Sequence, residues 1–236
     1  MQNTISETST LSDGNMSFRF GEVDEVINNR KQFLLAHNID FKNHICMKCN
    51  HGEEITTVNR SNLECGAVTQ EDMILAEVLI TQEKGLALML LTGDCLPVSF
   101  YDPITETIAL AHFSRQTITQ LLPQKTIGFL REEFQVNPAN LLIKIGPHIH
   151  AGSYSFPTPL QNVYGAIAPF ILEGDGNAHI DLASAHNSQL TKEGVLLKNI
   201  SVSGIDTATS SEHFSHYRSK KQNTLDGRLA TILILR

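Results

Sequence analysis

Cys95 and His112 are the two residues whose types and spacing best suit chemistry. Cys95 lies in Thr92-Gly93-Asp94-Cys95-Leu96-Pro97, and His112 directly follows the apolar stretch Ile108-Ala109-Leu110-Ala111. Mostly apolar residues 98–101 and 107–111 flank the turn-forming Asp102-Pro103 and predict an antiparallel hairpin. A turn centred directly after Pro103 would place Cys95 opposite His112, with Cβ atoms about 5 Å apart. The pair could then share a metal ion or a proton.

His51, in Cys49-Asn50-His51-Gly52, is the third candidate. A thiolate and two neutral imidazoles are a standard ligand set for zinc, which keeps a fourth position open in catalytic sites. Zinc would there activate a water molecule or polarise a substrate oxygen. His51, Cys95 and His112 therefore predict a zinc site, and we expect Cys95 and His112 to act in catalysis. Zinc is favoured over copper because only His148-Ile149-His150 offers the paired histidines that multicopper centres need.

Asp94 adds a carboxylate next to the thiol. Gly93 and Pro97 indicate irregular backbone that could turn this carboxylate into the site, as a general base or as a group that orients a ligand. A Cys95–His112 dyad is the alternative interpretation of the same atoms. In that dyad the imidazole lowers the thiol pKa and the sulfur attacks a carbonyl, which a bound metal would prevent.

The remaining cysteines and the basic residues give weaker signals. Cys46 and Cys49 have the CxxC spacing, but no second such pair completes a structural zinc site. Arg218 and Arg228 each stand beside small or aromatic residues near the end of the sequence. Their guanidinium groups could bind a phosphate or a carboxylate.

Composition excludes several classes of function. The 236 residues carry a formal net charge of −7, which argues against nucleic-acid binding because that requires clustered lysine and arginine. The first ten residues are polar, and no apolar stretch approaches the about 18 residues of a membrane span. Because no linker or repeat divides the sequence, we expect one domain over residues 1–236. That domain should be cytoplasmic and should act on a small molecule.

The elements that must position these residues are of both types. Helical spacing predicts helices over residues 24–37 and 181–193, and over 118–134, where Pro123 must kink the segment or start a new helix. Apolar stretches predict strands over residues 85–91, 141–145 and 229–235, which join the hairpin in a mostly consecutive sheet. Without regular βαβ alternation, the fold class is α+β.

Several motifs resemble, in order, those of the YfiH family, also called laccase-domain or DUF152 proteins. The family elements TADCLPV, QVHG and the start of HAGWRG match Thr92–Val98, Cys49–Gly52 and Ala111-His112. The elements GPxIG, DLR, FSYRR and GR match residues 145–149, Asp181-Leu182, Phe214–Arg218 and Gly227-Arg228. Asn15-Met16-Ser17 and Asn29-Arg30 resemble the N-terminal asparagine segment and the NR pair. The resemblance spans nearly the whole sequence.

The resemblance implies the same zinc ligands, His51, Cys95 and His112, and a layered α/β/β/α sandwich of mixed sheets with flanking helices. It implies a purine nucleoside phosphorylase that also deaminates adenosine and cleaves methylthioadenosine. Asn15, Arg115, Arg218 and Arg228 would then bind the substrate. Other members of the family are linked to amidase-type editing of UDP-muramoyl amino acid precursors of peptidoglycan, which is the second expectation.

The sequence departs from the family motifs at three places. Phe113-Ser114-Arg115-Gln116-Thr117 replaces AGWRG, so that the tryptophan is absent and Arg115 lies one position early. Cys49 replaces the glutamine of QVHG, and residues 206–209 lack the cysteine that precedes FSYRR. A metal site could survive these three changes while the reaction or the substrate changed. The third expectation is therefore a protein that binds metal and nucleoside without turnover.

Overall fold

Two stacked β-sheets with helices outside them form the framework in the computed structural model, which describes residues 3–158 and 165–236. The strands are β1 (Thr4–Thr8), β2 (His44–Lys48), β3 (Ile55–Thr57), β4 (Ile74–Leu75), β5 (Val78–Thr81), β6 (Ala87–Thr92), β7 (Leu96–Asp102), β8 (Thr107–Phe113), β9 (Leu142–Ile145), β10 (Ser155–Pro157), β11 (Ile171–Gly174), β12 (Asn177–Ile180), β13 (Ile200–Val202) and β14 (Leu229–Leu235). The α-helices are α1 (Val23–Ala36), α2 (Arg115–Thr119), α3 (Leu122–Phe134), α4 (Leu182–Lys192) and α5 (His216–Gln222).

Both large sheets mix parallel and antiparallel strand pairs. The five-stranded sheet has the order β1-β14-β6-β2-β4, and the six-stranded sheet has the order β13-β9-β7-β8-β5-β3. Strands β10, β12 and β11 form a small third sheet. The prediction of a mostly consecutive sheet is wrong, because β6 and β7 belong to different sheets. A continuously apolar strand is buried on both faces, so its sequence does not reveal its neighbours.

Alternating side chains on the strands build three apolar layers. On β8, Leu110 packs between the sheets with Leu88 of β6, whereas Ala109 faces the helices α3 and α4. On β14, Leu233 joins the layer between the sheets, and Ile232 packs with Phe33 and Leu34 of α1. The order is helix, sheet, sheet, helix, which confirms the α+β class and the sandwich that the motifs implied.

The predicted helices are present, with differences at their ends. Residues 118–134 form two helices, α2 and α3, because Leu121 between them adopts a left-handed conformation with φ of 60° and Pro123 lies in the first turn of α3. In α4, the Asp181 side chain accepts a hydrogen bond from Ser184 N at 2.9 Å and so caps the helix. None of the described helices has the length and apolar character needed to cross a bilayer.

The predicted hairpin forms with a different register. Asp102 pairs with Thr107, and Pro97 pairs with His112, so Cys95 is not directly opposite the imidazole. The turn is longer because the Asp102 carboxylate accepts hydrogen bonds from the backbone N–H groups of Ile104 and Thr105, both at 3.2 Å. The shift is two residues. Because side chains alternate with a period of two, it leaves Cys95 and His112 on the same face of the sheet.

Three buried histidines are neutral in the folded protein. Burial lowers the pKa of His44 and of His148 to about 4, and the pKa of His186 to about 3. His186 is stacked on Phe113 with ring centroids 4.9 Å apart, and its Nδ1 lies 2.6 Å from Leu182 O. These rings are packed as parts of the core and resist protonation there.

We expect the protein to lose stability as the pH falls from about 6.5 towards 4, because unfolded histidines bind protons that the folded ones do not. His186→Phe keeps an aromatic ring on Phe113 and removes one of these groups. Thermal unfolding measured between pH 7.5 and 4.5 should show a shallower loss for this variant than for the wild type. Equal slopes would contradict the assignment of His186 as a neutral core residue.

Candidate functional site

His112 lies at one end of the layer between the two sheets, with Cys95 in contact with its ring and His51 beside it. The ligand atoms of His51, Cys95 and His112 do not all lie within 4.8 Å of one another. Residues 93–95 are the connection by which the chain passes from β6 in one sheet to β7 in the other. His112 is on β8 with the same parity as Ile108 and Leu110, so it points between the sheets, and it is buried. His51 follows β2 and is exposed. The sheet crossing therefore brings the thiol to the histidines.

Glu77 fixes the orientation of His112. This fully buried residue directly precedes β5, and its Oε2 lies 2.6 Å from Nδ1 of His112. Its Oε1 accepts hydrogen bonds from the backbone N–H groups of Asn50 at 2.7 Å and Gly52 at 3.2 Å. Burial raises the pKa of Glu77, but these hydrogen bonds and the charge of His112 lower it overall, so the carboxylate is ionised.

Sequence reasoning missed Glu77. The signal was present as a single acidic residue inside the otherwise apolar stretch Ile74-Leu75-Ala76-Glu77-Val78-Leu79-Ile80. An acidic side chain in a buried strand needs a charged or donating partner, which is an independent reason to expect a functional group nearby.

Two thiols lie against the His112 ring. Ligand atoms of Cys49, Glu77 and His112 lie within 4.8 Å of one another, the one such group of three found in residues 3–158 and 165–236. Burial alone would lower the pKa of His112, but Cys49 and Cys95 interact with its ring and raise that pKa well above its usual value. The site thus contains more sulfur than the predicted set of His51, Cys95 and His112.

His51 completes the arrangement from the 49–52 loop. Its ring centroid is 5.1 Å from that of His112, and its Nδ1 lies 3.1 Å from Ser114 Oγ. Each ring therefore has Nδ1 engaged by a polar group, which leaves Nε2 as the nitrogen available for a metal. A carboxylate on the outer nitrogen of a histidine is the usual support of a zinc ligand. The donor set of thiols and imidazoles fits zinc.

Both oxygens of the Asp94 carboxylate are already occupied. Oδ1 accepts a hydrogen bond from Thr207 Oγ1 at 2.7 Å, and Oδ2 accepts one from Tyr217 N at 2.6 Å. Asp94 is buried and has a φ of 91°, an uncommon conformation for a residue other than glycine. These contacts favour the orienting role over that of a general base, because they fix the turn before Cys95 to α5.

A cleft of about 390 Å³ opens beside the thiol and His51. Tyr154, Phe156 and Tyr217 form an aromatic wall, with Tyr154 4.8 Å from Phe156 and 5.9 Å from Tyr217 between ring centroids. Arg115 and Lys220 also line the cleft, and the Arg115 guanidinium lies 5.3 Å from the Phe156 ring centroid. Of these residues, sequence reasoning identified only Arg115.

His216 lines the same cleft and is held by a carboxylate. Its Nδ1 lies 2.6 Å from Asp226 Oδ2, while Asp226 Oδ1 accepts a hydrogen bond from Arg228 Nη1 at 2.8 Å. Burial raises the pKa of Asp226, but His216 and Arg228 lower it overall. His216 was not a predicted site residue, although it lies within the segment that resembles FSYRR.

The other predicted substrate-binding residues do not line this cleft. The Arg218 guanidinium donates to the carbonyl oxygens of Thr207 at 3.0 Å, Ser210 at 2.6 Å and His213 at 2.6 Å. Arg228 lies over the Phe20 ring and pairs with Asp226, and Asn15 Oδ1 accepts from Arg228 N at 3.0 Å. All three stabilise the loops behind the site. Their role in substrate binding stays a prediction.

Comparisons with known proteins agree with the motifs. The family model described as multi-copper polyphenol oxidoreductase laccase matches residues 2–236. The purine nucleoside phosphorylase SCO2081 of Streptomyces coelicolor is 28% identical over 153 residues, which are 64% of this chain and 62% of that protein. The purine nucleoside phosphorylase YlmD of Bacillus subtilis is 23% identical over 215 residues, which are 89% of this chain and 77% of that protein.

A solved structure shows the same fold. The crystal structure of the hypothetical protein YfiH from Bacillus licheniformis matches with a TM-score of 0.88 at 22% sequence identity, covering 100% of this chain and 94% of that chain. The chain belongs to the multi-copper polyphenol oxidoreductase laccase family, which confirms the resemblance to laccase-domain proteins that its motifs indicated.

Proposed function

We propose that the protein is a zinc-dependent purine nucleoside enzyme that cleaves adenosine, inosine and methylthioadenosine with phosphate and deaminates adenosine. The observation that carries the proposal is the buried Glu77–His112 pair, which presents an imidazole beside Cys95 and His51 at a cleft with an aromatic wall. Relatives named purine nucleoside phosphorylase support this substrate class.

The metal proposed is zinc, although the family name mentions copper. His51, Cys95 and His112 would hold it, with the Nδ1 atoms of both histidines engaged outside the donor set. Thiolate and imidazole at a single centre suit zinc, whereas multicopper chemistry needs several histidine clusters. When bound, zinc would supply Lewis-acid activation of an oxygen at the mouth of the cleft.

The cleft residues suit the parts of a nucleoside and phosphate. A cleft of about 390 Å³ falls within the range of about 300–1,000 Å³ that is usual for small-molecule sites. The aromatic wall offers faces on which a purine can stack. Arg115 and Lys220 line the cleft and could bind phosphate through their positive charges. Arg218 and Arg228 are less suited to this role, because their guanidinium groups donate hydrogen bonds to backbone carbonyl oxygens.

In phosphorolysis, a phosphate oxygen forms a bond to C1′ of the ribose, and the bond from C1′ to N9 of the base breaks. The departing base needs a proton at N7. His216 can supply it from Nε2, because Asp226 holds Nδ1 of the same ring. In deamination, water adds at C6 of adenosine and ammonia leaves.

The first test is an activity panel with zinc-loaded protein. We expect adenosine, inosine and methylthioadenosine with phosphate to yield free base and a sugar phosphate, and adenosine to yield ammonia. Cys95→Ala should bind less zinc and lose at least about 100-fold in kcat/KM, because it removes a ligand. Cys65→Ala, a half-buried cysteine outside the cleft, is the matched control.

Other outcomes of this panel would overturn the proposal. Release of free serine from UDP-muramoyl-serine without nucleoside cleavage would indicate the amidase. Tight nucleoside binding in calorimetry with no product would indicate a protein without turnover. Full nucleoside activity in Cys95→Ala would show that a metal bound by Cys95 takes no part in the reaction.

The role of His216 can be separated from general damage to the site. His216→Asn should slow inosine phosphorolysis by about 100-fold, the usual scale of one acid–base group. It should leave 7-methylinosine nearly as reactive as in the wild type, because N7 of that base already carries a positive charge. Steady-state rates with both substrates make the comparison, and equal losses would exclude His216 as the proton donor.

Arg218 and Lys220 should give opposite effects when truncated. Arg218→Ala leaves carbonyl oxygens of the 207–213 segment without their charged donor and should lower the free energy of unfolding by about 2–4 kcal/mol. Lys220→Ala, at an exposed position, should raise the KM for phosphate and leave stability within about 0.5 kcal/mol. Urea unfolding measures the free energy of unfolding, and phosphate titrations measure the KM. The reverse pattern would indicate that Arg218 binds the substrate.

A further inference from the structure

Cys49 is the residue by which this chain differs from its family inside the metal site itself. It stands in place of the glutamine of QVHG and follows β2 directly, two residues before His51. It is partly buried and packs against the apolar layer between the sheets. Its sulfur is thus on the inner side of the loop that also carries His51.

The sulfur of Cys49 lies within the range of a shared ion. It belongs to the group of ligand atoms within 4.8 Å that includes His112 and Glu77. Glu77 is the member already committed, since Oε2 pairs with His112 Nδ1 and Oε1 accepts two backbone N–H groups. Within residues 3–158 and 165–236, the His112 ring is the hydrogen-bond partner of the sulfur. The structure therefore favours Cys49 and His112 as donors and Glu77 as their support.

We propose that Cys49 is a fourth protein ligand, so that zinc binds to Cys49, His51, Cys95 and His112. This inference rests on the metal site of the proposed function. Two thiolates and two imidazoles complete the tetrahedral coordination of zinc and match the composition of closed structural sites. With zinc bound, Cys49 would supply the fourth donor that a three-ligand site takes from water or substrate.

Two consequences distinguish this site from one with three ligands. An additional zinc–sulfur bond strengthens metal binding, and thiolate ligands favour zinc over harder divalent ions. A fourth protein ligand would also slow turnover, because substrate would compete with Cys49 for the metal. Cys49→Gln restores the residue of the family motif and should open the site.

Cobalt substitution counts the sulfur ligands directly. In the Co²⁺-loaded full chain, Cys49→Gln should lower the sulfur-to-cobalt charge-transfer absorbance to about half, because one of two Co–S bonds is lost. Competition with a chelator should show zinc binding weakened by at least about 10-fold. Cys65→Ser is the control and should change neither value.

Alkylation of the wild type provides a test that needs no variant. With zinc bound, both Cys49 and Cys95 should react slowly with iodoacetamide, and removal of zinc by a chelator should speed both, as mapped by mass spectrometry. Protection of Cys95 alone, with an unchanged cobalt spectrum in Cys49→Gln, would overturn the inference and leave the three-ligand site of the proposed function. Failure of the wild type to bind zinc or cobalt would overturn both.

Discussion

The buried carboxylate of Glu77 is the interaction on which the site depends. An ionised carboxylate between two sheets costs several kcal/mol unless charges and donors compensate it. His112 and the N–H groups of Asn50 and Gly52 provide that compensation. These contacts hold the imidazole in one orientation and fix the loop that carries Cys49 and His51 to the start of β5.

Asp94 is a second buried carboxylate whose hydrogen bonds hold separate segments of the site together. Its two oxygens bind Thr207 and Tyr217, so one carboxylate joins the sheet crossing, the 206–209 loop and α5. Neither Glu77 nor Asp94 keeps an oxygen without a partner. The proposed function therefore assigns proton transfer to His216, which lines the cleft and whose Nδ1 is held by Asp226.

Local sequence patterns predicted that Cys95 and His112 lie on the same face of the hairpin, but they did not predict its register. The observed register differs from the predicted one by two residues, and because side chains alternate with a period of two, the predicted face is unchanged. The restart of the helix at Pro123 was also encoded locally, by a residue that has no N–H and fixes its own φ. The α+β class followed from the order of elements, without knowledge of which strands pair.

The residues that sequence reasoning missed depend on contacts between distant segments. Glu77 and His112 are neighbours because β5 pairs with β8, and the aromatic wall combines residues before and within β10 with a residue of α5. Arg218 illustrates the converse case. An arginine beside an aromatic residue suggests an anion site, but here its donors satisfy the carbonyl oxygens of an irregular segment, which no local pattern reveals.

The departures from the family motifs at Cys49 and at residues 113–117 lie on either side of the Glu77–His112 pair. His112 and Cys95 match the family motifs, whereas Arg115 and Gln116 stand in place of the tryptophan and arginine of HAGWRG. Arg115 nevertheless reaches the cleft from the first turn of α2, over the ring of Phe156. A cation and an aromatic surface are thus present in the cleft, although the tryptophan and arginine of the motif are absent from this sequence. These changes leave the Glu77–His112 pair in place and alter the lining of the cleft. Under the proposed function they would change which nucleoside binds more than which bond is broken.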